Sequence, residues 1–324
     1  MTTVSLSIYP EKPADRDAWI LANRSIRNPV NASRPYAFFV EDERSASGEI
    51  VPIATIFLTN RECPWRCLMC DLWKNTLPGT VAPGAIPAQI DFALTRMPPA
   101  RQTKLYNSGS FFDPRAIPTS DYAAIAKLGT GFERVIVESH PALINDHCLA
   151  FHDLVDGRLE VAMGLETANP GVLERLNKRM TLASFAAAAE KLTLHDIDLR
   201  VFILVKPPFM LEEEALEWAA RSVDFAFKCG ATAMTLIPTR GGNGALEQLS
   251  TSGDFAPPRL ATLEAALDYG ISLKRGRVFA DLWDLRVQGG CPVCREERVD
   301  RLRLMNLQQV LLASVSCREC GVDN

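Results

Sequence analysis

The sequence predicts an α/β fold: a parallel sheet with crossover helices, curved into an open or closed barrel, followed by a small cysteine-bearing extension. Three observations predict it. Short β-rich runs alternate with helical patterns from Val51 onward, as parallel strands joined by crossover helices do. Six or seven such units fill about 230 residues, which fits a barrel better than the alternative, a doubly wound sheet. Polar and glycine-rich residues follow strand after strand, at the end of such folds where chemistry sits.

The elements follow in order. Ala14–Arg27 is expected as a short helix in an otherwise irregular first fifty residues. Tyr36–Val40, followed by polar Glu41–Gly48, predicts a hairpin leading into the next strand. Strands are expected at Val51–Thr59, Thr103–Tyr106, Arg134–Val137, Leu159–Leu165, Leu199–Val205, Thr232–Ile237 and Arg277–Ala280. Between them, Ala88–Arg96, Ser120–Lys127, Ala142–Leu154, Leu182–Leu194, Glu212–Lys228 and Leu260–Lys274 carry helical apolar spacing. No repeat of solenoid period is present. The expected organisation is an N-terminal elaboration over 1–50, a barrel over 51–280 and a four-cysteine tail over 281–324.

Composition narrows the class. The chain has 324 residues, 47% hydrophobic and 23% charged, with a net charge of −4; disordered and fibrous classes are excluded. No apolar run approaches the ~20 residues of a membrane span, and Met1–Pro10 lacks a secretory pattern. A soluble, cytoplasmic protein with no membrane partner is expected. Mild acidity argues against broad, charge-driven nucleic-acid binding.

Nine cysteines stand out. Cys148 and Cys229 sit alone in patterned segments and read as small core residues. The other seven cluster, which in a reducing compartment points to metal. Arg61-Glu62-Cys63-Pro64-Trp65-Arg66-Cys67-Leu68-Met69-Cys70-Asp71 has the spacing C-x3-C-x2-C in the loop after the first parallel strand. Three thiolates can hold three irons of a [4Fe–4S] cube and leave the fourth iron open, whereas four close an electron-transfer cluster. A zinc site completed by a distant ligand is the competing metal reading.

Here the sequence resembles the radical S-adenosylmethionine (radical SAM) superfamily, over roughly residues 51–250. The resemblance implies a partial (β/α)6 TIM-like barrel. It also implies a [4Fe–4S] cluster on Cys63, Cys67 and Cys70 whose unique iron chelates SAM. Reduction, by a donor such as flavodoxin or ferredoxin, would cleave SAM to methionine and a 5′-deoxyadenosyl radical. Met69 stands where the family usually has an aromatic residue near the adenine. Asn107-Ser108-Gly109-Ser110 replaces a Gly-Gly-Glu-type turn, so Ser108 and Gly109 become the expected SAM contacts without its carboxylate. Met163-Gly164-Leu165-Glu166-Thr167-Ala168-Asn169-Pro170 is similar to the fourth-strand segment of the Elongator-like branch, and Glu166 is the expected contact to the ribose or methionine part.

Other candidates are less specific. Lys206, held before two prolines, is expected to meet the SAM carboxylate or a substrate acid. Gly241–Gly244 reads either as an anion cradle or as a plain βα loop. His140 is a weak proton-donor candidate, and Asn177-Lys178-Arg179 reads as a solvated helix end.

In the tail, Cys291-Pro292-Val293-Cys294 and Cys317-Arg318-Glu319-Cys320 enclose 22 residues with helical spacing. Two such knuckles predict one four-thiolate site, for Zn2+ or for a second iron–sulfur cluster. From Lys274 on, nine Lys/Arg face seven Asp/Glu, a weak hint of an acidic or nucleic-acid partner. The segment Lys104–Asp113, with the cysteine-rich tail, resembles the radical SAM enzymes of archaeosine formation. The expected function is therefore radical SAM chemistry on a modified nucleoside, a tRNA base or a small metabolite. An iron–sulfur electron-transfer or scaffold protein and a zinc-dependent RNA-binding module are the alternatives.

Overall fold

In the computed structural model, which describes residues 7–288 and 291–320, one eight-stranded sheet runs in strict chain order. Helix α1 (Pro13–Ala22) precedes an antiparallel hairpin of β1 (Ala37–Arg44) and β2 (Ile50–Phe57). Parallel units then follow: α2 (Ala85–Leu94), β3 (Gln102–Tyr106), α3 (Tyr122–Leu128), β4 (Arg134–Glu138), α4 (Asp146–His152) and β5 (Arg158–Glu166). After them come α5 (Pro170–Arg175), α6 (Leu182–Leu194), β6 (Asp198–Val205), α7 (Glu212–Lys228) and β7 (Ala233–Pro238). The chain finishes with α8 (Ala245–Ser252), α9 (Leu260–Ser272), β8 (Arg277–Ala280) and α10 (Arg295–Gln308). This is a partial (β/α) barrel with a C-terminal four-cysteine group. No helix among the described residues is long and apolar enough to cross a membrane.

All seven expected strands form, because their near-continuous Val/Ile/Leu runs suit strands buried on both faces. The helices Leu182–Leu194 and Glu212–Lys228 form with the expected bounds. The pattern over Ala142–Leu154 splits instead into a 3-10 turn and α4, because the Asn145 side chain accepts from His147 N and starts a new helix there. The expected hairpin forms, but β1 continues four residues past Val40. Glu41 and Glu43 belong to the strand, not to the turn, because they reach cations inside the barrel: Lys104 Nζ lies 2.8 Å from Glu41 and 2.6 Å from Glu43.

Those contacts belong to an ionic floor at the N-terminal ends of the parallel strands. Arg200, fully buried, bonds Glu160 at 2.6 Å and Glu43 at 2.6 Å. Glu160 also accepts from Arg134 at 2.9 Å and Arg277 at 3.2 Å, and Arg134 pairs with Asp198. Arg277 on β8 donates to Arg44 O on β1 at 3.3 Å, so the two edge strands of the sheet are joined at this end. The opposite end, at the strand C-termini, is left for the loops.

The floor sets a pH dependence. Burial alone would raise the Glu160 carboxyl, but Arg200, Arg277 and Arg134 outweigh it and hold it at about 2; Glu43 is held low in the same way by Arg200 and Lys104. Because the folded-state values lie below the ordinary carboxylate value of about 4.3, this stabilisation is complete above that pH and is lost as pH falls toward 2. Glu160→Gln should cost roughly 3–5 kcal/mol near neutrality, the penalty of leaving buried cations uncompensated. Urea unfolding at a series of pH values should show the variant losing less stability than the parent between about pH 5 and pH 3.

Candidate functional site

The C-terminal end of β2 delivers the cysteine loop, and neighbouring elements grip it from three sides. Glu62 is held by Arg24 at 2.7 Å, by Arg66 at 3.1 Å and by Arg27. From the β5 side, Asn177 donates to Arg66 O at 2.8 Å and Leu68 N donates to Leu176 O at 2.9 Å. From the β7 side, Asn243 donates to Leu68 O at 2.7 Å and to Cys70 O at 3.3 Å. Gly109 approaches so closely that a Cβ there would lie 3.2 Å from Cys63 Cβ, so this position favours glycine.

Cys63, Cys67 and Cys70 all line one cavity of about 270 Å³ at the strand C-termini. Met69, Ser108, Gly109 and Glu166 line it too, so seven of the eight expected loop and SAM residues are brought together. Lys206 is the eighth: it is not among the lining residues, and its ammonium pairs with Glu212 at 3.1 Å. Burial pushes each of the three thiols up to about 12. Thiols in such surroundings ionise readily only when a metal's charge compensates the thiolate.

Two charged groups at the cavity escaped the sequence reading. Lys178 is no solvated helix end: it is buried, donates to Gly164 O at 2.6 Å and pairs with Glu166. A Cβ at Gly164 would collide with both ends of that pair. Glu166 itself sits at φ 66 beside a register shift in β5, an irregularity that re-aims its carboxylate toward the cavity. Ser108 and Lys206, also at strand ends, share positive φ (53 each), the kind of local strain that collects at functional sites. Glu138, the last residue of β4, accepts from Asn107 N at 2.7 Å and from Gly109 N at 3.4 Å. Burial raises its carboxyl to about 7 although these amides pull it down. The spacing of twelve residues between Glu166 and Lys178 carries no helical or strand signature; the strand-end position of Glu138 was the available signal.

Two candidates take other roles. The amides of Gly242 and Gly244 (2.6 Å for Gly244) donate to Glu247, so the glycine loop already cradles a carboxylate of its own chain. His140 Nδ1 accepts from Ala142 N at 3.1 Å, and its Nε2 lies 2.9 Å from Lys178 O. The ring is therefore neutral, with the proton on Nε2, and burial lowers its pKa to about 4. It stacks on Trp65 at 3.8 Å and so positions the cysteine loop.

A second cavity, of about 960 Å³, adjoins the first and shares Asp71, Ser108, Glu138, Phe202 and Arg240 with it. Tyr36, Phe57, Tyr106, Phe279 and Trp283 give it an aromatic lining. In the tail, Cys291, Cys294, Cys317 and Cys320 bring their sulfur atoms within 4.8 Å of one another, as the two knuckles predict.

No family model matches the chain. It is 24% identical over 319 residues to an uncharacterized protein of Methanocaldococcus jannaschii, covering 91% of this chain and 87% of that protein. It is 27% identical over 290 residues to archaeosine synthase subunit beta of Methanosarcina acetivorans, covering 82% of each. Among solved structures it is similar to the radical S-adenosylmethionine methyltransferase TsrM of Kitasatospora setae, with TM-score 0.43 and 14% identity. That match covers 57% of this chain and 35% of TsrM, about a third of its length. It is also similar to Elp3 of Methanocaldococcus infernus, with TM-score 0.48 and 14% identity over 68% of this chain and 58% of that one.

The Glu166–Lys178 pair is buried on both sides, so its two halves depend on each other. Lys178→Met should destabilise the fold by roughly 3–5 kcal/mol, and Glu166→Gln by a comparable amount, because each leaves a buried charge unpaired. The double variant should lose clearly less than the sum, with a coupling of about 1 kcal/mol or more in a double-mutant cycle of unfolding free energies. Additive losses would show the contact to be energetically idle.

Proposed function

We propose that this chain is a radical SAM enzyme acting on a modified nucleoside, in RNA or free. The observation that carries the reading is the sharing of one strand-end cavity by three C-x3-C-x2-C thiols, the Glu138 and Glu166 carboxylates and the buried Lys178. The donor set fits a [4Fe–4S] cluster with an open iron: three soft thiol ligands on one short loop, no fourth cysteine lining the cavity, and room beside them. Cys63, Cys67 and Cys70 would each hold one iron. When bound, the reduced cluster and SAM supply a one-electron cleavage that yields methionine and a 5′-deoxyadenosyl radical able to take a substrate hydrogen atom.

The remaining work falls to the chain's own groups. Glu138, fixed by the Asn107 and Gly109 amides, offers a carboxylate to the SAM ammonium beside the turn that lacks one. Lys178 balances the SAM carboxylate and Glu166 offers its second oxygen to ribose hydroxyls. Ser108, Gly109 and Met69 pack around the cofactor. The adjoining aromatic cavity suits a planar base, and the name of the Methanosarcina relative, archaeosine synthase subunit beta, favours a nucleoside over a small metabolite. The electron would come from a donor such as flavodoxin or ferredoxin.

Anaerobic reconstitution with iron, sulfide, SAM and dithionite tests the class. The parent should form 5′-deoxyadenosine; Cys63→Ala, Cys67→Ala and Cys70→Ala should each form none while remaining folded. Undiminished 5′-deoxyadenosine from all three would sink the assignment.

Glu138 adds a pH signature. With a carboxyl titrating at about 7, its charge is present above that pH and disappears below it, so SAM affinity should weaken as pH falls from about 8 to about 6. Glu138→Gln should bind SAM about ten- to a hundredfold more weakly at pH 8, the worth of a charge-assisted hydrogen bond, with little change across that window. Calorimetric titration of the reconstituted protein measures both; equal pH profiles for parent and variant would remove Glu138 from the site.

A further inference from the structure

The tail cysteines play no part in the proposed chemistry, yet their geometry is specific. Cys294 Sγ lies 3.8 Å from Cys320 Sγ, and Cys317 Sγ lies 3.9 Å from Cys291 Sγ. A disulfide needs about 2.05 Å, so neither pair is one. Four thiolates around one ion at a metal–sulfur distance of about 2.3 Å stand about 3.8 Å apart, the edge of that tetrahedron. Thiolates on a [4Fe–4S] cube each bind a different iron and stand much farther apart. The spacing therefore discriminates between the two metals that the sequence left open.

The position of the site gives it a task. Cys294 is the N-cap residue of α10, and Arg298 N donates to Cys294 O at 3.0 Å. The Arg298 guanidinium, one turn into α10, binds Glu264 on α9 at 3.0 Å, and its charge near Cys294 would offset part of the excess negative charge of four thiolates on a divalent ion. Arg301 binds Leu312 O at 2.8 Å and Ala313 O at 3.0 Å, holding the segment that returns to Cys317. On its other side α10 meets the free edge of β8. Ala280 N donates to Asn306 Oδ1 at 2.8 Å and Asn306 Nδ2 donates back to Ala280 O at 2.8 Å. Val278 does the same with the Gln309 amide, at 2.7 and 2.9 Å. Two side-chain amides thus stand in for a ninth strand, and Arg303, Asn306 and Leu307 form part of the wall of the larger cavity.

We infer that Cys291, Cys294, Cys317 and Cys320 hold a single tetrahedral zinc ion, and that this ion clamps α10 in place as the cover of the β8 edge and a wall of the substrate cavity. Helix α10 has only a narrow apolar contact, with Leu302 and Met305 as its fully buried apolar residues. Arg301 ties the middle of α10 to the returning segment, and the metal would tie its N-terminus to the end of that segment, so its binding energy becomes folding energy for this module.

The test uses the full-length chain and does not depend on SAM cleavage. The triple variant C63A/C67A/C70A, purified anaerobically, should retain about one zinc per chain and essentially no iron. Iron at the tail, as a single ion or as a cluster, would overturn the assignment. Hydrogen exchange reads the clamp. On removal of the tail metal by chelator, or in Cys317→Ser, the Val278 and Ala280 amides should exchange about tenfold faster, having lost their side-chain partners. The Val135 and Val137 amides on β4 should stay protected and show that the barrel persists. Unchanged protection at Val278 and Ala280 after zinc has left would refute the clamp even if the metal assignment stood.

Discussion

The buried ionic floor is the constraint on which the rest of the barrel depends. Glu160 is completely buried with three arginines around it, and Arg200 is nearly as deep with two glutamates. Taking such ions out of water costs several kcal/mol each, so the set is tolerable only when every member is paired. The pairing draws on β1, β3, β4, β5, β6 and β8 at once. That is why the hairpin strand β1 enters the barrel: without Glu43, Arg200 would lose half its partners. It is also why the two edge strands meet at this end although no ladder joins them. The floor fills the lumen at the strand N-termini with paired charges, and the larger cavity extends down to Glu43, Lys104 and Arg200.

Much of this was legible in the residues. The parallel strands announce themselves by short runs rich in β-branched and apolar residues, such as Val201–Val205, although floor charges such as Lys104, Glu160 and Arg200 interrupt the strands near their starts. The helices with long amphipathic faces, α6 and α7, kept their expected bounds. What escaped were short elements that local chemistry, rather than periodicity, creates. Helix α5 exists because Asn169 accepts from the amides of Gly171 and Val172. Helix α8 starts where Gly244, at φ 89, passes so close to Asn23 O that a side chain would clash.

The misreadings of charge have one cause. Lys178 beside Arg179, Glu41 to Arg44, and the amides of Gly241–Gly244 all look solvent-directed in one dimension. Lys178 and Glu43 find their partners, Glu166 and Arg200, across distances in sequence that no periodicity encodes, whereas Gly244 finds Glu247 within the first turn of α8. Cysteine spacing was more informative because metal ligands must come from short, close segments. Even so, spacing alone could not separate a single ion from a cube at the tail. The sulfur-to-sulfur distances of 3.8 and 3.9 Å are what the inference of a single ion rests on.

Charge accounting at the upper cavity carries the argument one step further. Arg24 answers Glu62, Lys178 answers Glu166 and Arg240 answers Asp281. Two lining carboxylates are left over, Asp71 and Glu138, and among the described residues neither has a cation within ion-pair distance. Glu138 is held by the Asn107 and Gly109 amides instead, at 2.7 and 3.4 Å, and burial raises its carboxyl to about 7. The floor pairs its charges internally, whereas the upper cavity keeps two carboxylates, Asp71 and Glu138, without an ion-pair partner among the described residues. Buried ion pairs thus hold both ends of the strands, Glu160 with its arginines below and Glu166 with Lys178 above, so a substitution in the upper pair changes stability as well as the cavity.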